Sequence, residues 1–132
     1  MSKSHRSIKA WQLADDLAVH VYETTAAFPR EERYDLVSQM RRAAISVAAN
    51  IVEGTARESK KEYLQFLFRA RGSLAELGYY FHLSQRLQLL AQGQFNALDC
   101  QRDEAARVLH GLIQLVNRDV SIVAESEPLY AP

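Results

Sequence analysis

Apolar side chains recur every three or four residues in four long stretches of this chain, and no stretch shows the alternation of a half-buried strand. The first pattern predicts a helix over Lys9 to Ala27. Trp11, Ala14, Leu17, Ala18, Val21 and Thr25 fall on one face, and Gln12, Asp16, His20 and Glu23 on the other. Phe28-Pro29 ends it, because proline disfavours a helical conformation in the residue before it. Arg30-Glu31-Glu32-Arg33 reads as an exposed link. A second helix is predicted from Tyr34 to Ala56, with a core stripe of Met40, Ala44, Val47 and Ile51.

The second helix carries a further apolar stripe, Ile45, Ala48 and Val52, about 100° around its axis. Only Arg42, Ser46 and Glu53 keep a polar strip. In a single small bundle each helix buries one stripe, so the second predicts contact with another copy of the chain. The plainer alternative is a wide core-facing stripe of small residues. Gly54 is expected to cap the helix at its C-terminus. Ser59-Lys60-Lys61-Glu62 has the capping-box pattern that opens a third helix, running to Leu90.

The stripe of the third helix is Tyr63, Leu67, Ala70, Leu74, Leu77 and Phe81, with small residues at Gly72, Ser73, Ala75 and Gly78 for close approach. Gln92-Gly93 is expected to close it. A fourth helix follows from Phe95 to Val123 on Leu98, Ala105, Leu109, Leu112, Val116 and Val120. Short links between long amphipathic helices favour antiparallel neighbours. The expected fold is therefore an all-α, up-down-up-down antiparallel four-helix bundle over residues 1–124, followed by a flexible tail at 125–132.

Composition narrows the possible functions. The chain has 132 residues and a net charge of zero, with 16 basic and 16 acidic side chains. The neutrality conceals polarity. Between Arg41 and Arg71 seven basic residues face three acidic ones, whereas from Gly72 onward seven acids face four arginines. The single cysteine, Cys100, forms no internal disulfide and has no nucleophile signature around it, which fits a reducing cytoplasm. No apolar run approaches the roughly 20 residues that span a bilayer. There is no phosphate-cradling Gly-Lys-Ser/Thr loop or dinucleotide glycine fingerprint. His20-Val-Tyr-Glu23 reverses the Glu-x-x-His order of bundle metal sites, and Asp16, His20 and Glu23 are expected to face solvent. No catalytic residue, metal or cofactor is therefore expected.

The basic segment is the functional lead. Arg57, Lys60 and Lys61 flank the second link and Arg69 continues the exposed side of the third helix. Arg41 and Arg42 form a separate patch about four turns back. Such groups neutralise phosphate without reading bases. Arg71 falls in an apolar sector and is expected to be paired inside or between subunits. Asn50, Glu53 and Gly54 are expected to fix the turn between the second and third helices through side-chain to backbone bonds.

Gln39-Met-Arg-Arg-Ala-Ala-Ile-Ser-Val-Ala-Ala-Asn50-Ile-Val-Glu53-Gly54 resembles the signature of the bacterial four-helix-bundle proteins encoded in intervening sequences of 23S rRNA genes. The similarity continues through Arg57 to Leu67, through Ala70-Arg-Gly-Ser-Leu-Ala-Glu-Leu77, and at Ala10-Trp-Gln-Leu-Ala and Phe28-Pro29. The resemblance implies a four-helix bundle assembling into a pentameric ring. It also implies kinship with the accessory variability determinant proteins of diversity-generating retroelements, which bind nucleic acid and a reverse transcriptase. Gly78 stands where the family often has an acid after Glu76-Leu77, and the overall charge is neutral where the retroelement relatives are strongly basic. Two functions follow as expectations: a homo-oligomer that binds RNA or DNA through Arg57, Lys60, Lys61, Arg69, Arg41 and Arg42, or a protein-interaction scaffold without nucleic acid.

Overall fold

The structure, a computed structural model, describes residues 4–126, with side chains described to Asp119. It contains four α-helices and, among the described residues, no strand: α1 (Lys9–Thr25), α2 (Leu36–Thr55), α3 (Lys60–Arg86) and α4 (Gln92–Ser126). Single 3-10 turns lie at His5–Ser7 and Arg30–Glu32, so the link expected after Pro29 is locally wound. In the first of these, the His5 ring meets Trp11 edge-on, with centroids 4.9 Å apart.

The helices pack in a closed cycle: α1 on α2, α2 on α3, α3 on α4, and α4 back on α1. Individual contacts fix the neighbours. Lys60 at the start of α3 reaches Asp119 in α4 at 3.1 Å. His20 of α1 pairs with Gln101 of α4. Met40, Ala44, Val47 and Ile51 are buried, as are Leu67, Ala70, Leu74, Leu77 and Phe81, so the expected stripes of α2 and α3 do form the core. Tyr63, Leu112, Trp11 and Ala18 are only partly buried around it. Leu64, Phe66 and Ile113 join the buried set although they lie off the expected stripes. Val120 lies beyond the described side chains.

Helix ends differ most from expectation. Gly54 is not a left-handed cap: it is helical and buried inside α2, and no glycine has a positive φ. Its missing side chain serves packing, because a Cβ there would come within 2.7 Å of the Tyr63 ring and 3.1 Å of Phe66 Cβ. Ser59 does cap α3, accepting the Glu62 amide at 3.0 Å. That helix ends at Arg86, four residues early, where Gln88 adopts φ 61°. The Leu89 amide bonds the Ser84 carbonyl at 2.8 Å and the Gln88 amide bonds that of Gln85 at 3.0 Å. This is the Schellman arrangement, which satisfies carbonyls the helix leaves open. Gln92-Gly93 accordingly opens α4 instead of closing α3, and Gln94 reaches back to accept the Ala91 amide at 3.0 Å. Helix α4 runs two residues into the expected tail, whose remainder, 127–132, lies outside the described residues.

Candidate nucleic-acid interface

The first basic group surrounds the link between α2 and α3. Phe66 is buried on α3, and two guanidiniums lie on its ring: Arg57 from the link, 4.6 Å from the centroid, and Arg69 from the next turn of α3, 4.5 Å away. Arg57 also pairs with Glu53 at 3.3 Å, and Lys60 with Asp119 at 3.1 Å. All four of these paired side chains are well exposed. Lys61 and Arg69 are exposed and make no ion pair among the described residues. The α4 acid Asp119 is a partner that spacing within the basic segment does not reveal.

The turn residues act differently from expectation. Asn50 does not bind the link. Its Nδ2 donates to the Ser46 carbonyl at 2.8 Å and to Ser46 Oγ at 2.9 Å, and Ser73 Oγ of α3 donates to that same Oγ at 2.8 Å. Ser46 is thus a half-buried bridge between α2 and α3, not part of a solvated strip. Glu53 reaches the link through the Arg57 side chain, and the Gly54 carbonyl accepts the Arg57 amide at 3.1 Å.

The second basic group lies at the other end of α2. Arg41 is structural as well as basic. Its Nε donates to Thr25 Oγ1 at 3.0 Å, an Nη donates to the Tyr22 carbonyl at 3.2 Å, and its guanidinium lies 4.3 Å over the Tyr22 ring. A cation bonding the last turn of α1 offsets the negative end of that helix dipole. Arg42 beside it is exposed. About 24 Å of helix separates Arg41 from Arg57, so the two groups occupy opposite ends of α2.

Two further expectations change. Arg71 is exposed and stacks 4.8 Å over Phe68, which is itself 40% exposed, instead of being paired in an apolar sector. His20 turns toward Gln101 instead of solvent, leaving Asp16 and Glu23 outside. In the expected assembly stripe, Ile45 is 47% exposed, whereas Ala48 and Val52 are half-buried. Ala48 packs against the core. Cys100 is exposed on α4. Among the described residues no three His, Cys, Asp or Glu side chains gather as a metal site, and no helix is long and apolar enough to cross a membrane.

Four amphipathic helices closed around one apolar core, with arginine-bearing patches at both ends of α2, define a small all-helical protein. Residues 6–111 match the 23S rRNA-intervening sequence proteins, and the chain belongs to that family. A crystal structure of a protein of unknown function from the S23 ribosomal protein family, from Bacteroides thetaiotaomicron VPI-5482, shares the fold. It matches with a TM-score of 0.71 at 20% identity, over 79% of this chain and 97% of the other. No curated protein matches.

Proposed function

We propose that this chain is a non-enzymatic, cytoplasmic homo-oligomer, an up-down-up-down bundle arranged as a pentameric ring, that binds RNA or DNA without sequence preference. The observation that carries the nucleic-acid reading is the pair of guanidiniums held on one buried ring, Arg57 and Arg69 on Phe66. Contact with the ring holds each guanidinium in place, and Arg69, which makes no ion pair among the described residues, keeps N–H groups for a phosphate. Lys61 adds an exposed charge in the first turn of α3. The exposed pairs Arg57–Glu53 and Lys60–Asp119 are worth about 0–1 kcal/mol each, so a phosphate displaces either carboxylate at little cost. A ring repeats the patch around its axis and multiplies its field.

Self-assembly rests on Ile45, a large apolar residue left 47% exposed beside half-buried Val52. Native mass spectrometry of the wild type and Ile45→Lys tests it: a ring that the lysine dissociates supports the reading, and a monomeric wild type overturns it. Filter binding tests the nucleic-acid role. Retention of RNA or DNA at low salt should fall steeply as salt rises and drop in Lys61→Glu/Arg69→Glu. The absence of any retention removes this reading. Exposed Tyr79 and Leu115, 58% and 54% accessible, favour the second reading, a scaffold for another protein. Kinship with the retroelement accessory proteins makes a reverse transcriptase one such partner. A defined protein captured equally well after nuclease treatment would establish that alternative.

A further inference from the structure

At the corner where α1 gives way to α2, two adjoining clefts share Arg33, Val37 and Arg41. One, of about 380 Å³, also takes Arg30 and Phe28 into its wall; the other, of about 340 Å³, takes Arg42, Tyr22 and Tyr34. Four arginines therefore line the two adjoining clefts, and no carboxylate lines either one. The nearby acids Glu32 and Asp35 face a separate cleft against α3, on the other side of Tyr34. None of the four arginines makes an ion pair among the described residues. In a protein of zero net charge, this concentration of unneutralised guanidinium is a local feature.

The aromatic groups give the clefts a second chemistry. Tyr34 is 85% exposed, the most open of the large apolar side chains among the described residues. Tyr22, 41% exposed, already carries the Arg41 guanidinium on its face. Each cleft volume lies in the range of about 300–1,000 Å³ typical of small-ligand sites. Adjacent guanidiniums and an open aromatic ring are the combination that binds a strand with accessible bases: phosphates on the arginines, a base on the ring. A duplex offers the phosphates but not the base face.

We propose that the α1–α2 corner is a single-strand nucleic-acid site, in which Arg30, Arg33 and Arg42 hold successive phosphates and Tyr34 stacks a base. It rests on the nucleic-acid reading above and locates a site separate from the α2–α3 link. Arg41 positions the site by tying α2 to the last turn of α1, and it stands in the wall of both clefts.

The test uses the full chain with fluorescent oligo(U) and oligo(dT), alone and as duplexes, at low salt. Arg33→Gln/Arg42→Gln should weaken single-strand binding at least about tenfold and flatten its salt dependence by roughly two contacts. Tyr34→Ala should weaken single strands by roughly tenfold and leave duplex binding unchanged. All three side chains are exposed, and unchanged circular dichroism and Tm check that the fold survives. Lys60→Gln/Lys61→Gln serves as the comparison. If that variant loses binding while the corner variants keep it, the corner site is overturned and the link interface stands. If the wild type binds no oligonucleotide, both proposals fall. If polyglutamate competes as well as oligo(U), or Tyr34→Ala changes nothing, the site is a general anion or acidic-peptide cleft and the single-strand assignment is overturned.

Discussion

The ring of Tyr63 occupies the place of the side chain that Gly54 lacks: a Cβ on Gly54 would lie 2.7 Å from Tyr63 Cδ1. In most helices alanine is favoured over glycine by about 0.5–1 kcal/mol, because it limits the unfolded backbone. Here Gly54→Ala forces a ring and a neighbouring Cβ apart, at about 1–3 kcal/mol. The expected net result is a lower Tm. Gly72, with no atom within 4 Å of its Cβ position, is the matched control, and Gly72→Ala should raise stability by about 0.5–1 kcal/mol. Equal responses of the two variants in urea denaturation would show that Tyr63 does not constrain Gly54.

Gln88 holds φ 61° at the end of α3, a region L residues occupy at a cost of roughly 1 kcal/mol. Glycine has no such cost, and the Schellman bonds there come from the backbone. Gln88→Gly should therefore stabilise the chain by about 0.5–1 kcal/mol net of its greater unfolded-state entropy. A lower denaturation midpoint would count against the left-handed turn.

Ser46 and Ser73 join α2 to α3 through one hydroxyl contact, with Asn50 bonded to the same Ser46 oxygen. Each serine-to-alanine change should cost about 0.5–1.5 kcal/mol. Since both remove one bond, the double variant should cost less than the sum, with a coupling of about 0.5 kcal/mol or more. Strict additivity in the double-mutant cycle would rule out the contact.

Burial raises the Tyr63 phenol above its ordinary value of 10.0. The folded chain thus favours the neutral phenol. That contribution is fully present below about pH 10 and is lost as pH climbs through the raised value. Tyr80 behaves in the same sense, through burial first and then the Glu76 carboxylate. Tyr63→Phe should flatten the alkaline decline in stability without changing it near neutrality. Urea titrations across that range read the difference.

The four helices were legible because their core stripes repeat locally: Met40, Ala44, Val47 and Ile51 need no knowledge of the partner helix to be recognised. Ser59 was legible for a similar reason, since its bond to the Glu62 amide spans three residues. The end of α3 was not legible, because a glutamine at positive φ carries no turn signature, and Gln92-Gly93 looked like a stop although both residues are helical. Gly54 looked like a cap for the same reason. Its real constraint comes from Tyr63 on the next helix. The basic patches were legible as a charge surplus, but their partners were not. Asp119 lies 59 residues from Lys60, and Arg41 spends two donors on α1, contacts set only by packing. In the sequence, Arg30 and Arg33 belong to a charged link and Tyr34 to a helix start. Only the fold places them around two adjoining clefts with Arg42.

The edge-on contact of Trp11 with His5 has an optical consequence. Trp11 is the chain's single tryptophan, so all indole emission comes from one place, partly packed on the core and touched by an imidazole from the first 3-10 turn. Loosening of that turn alone would move the imidazole from the indole and change its brightness, whereas exposure of the core would shift the emission wavelength. The protein thus carries its own two-channel probe, with brightness reporting the amino-terminal turn and colour reporting the core.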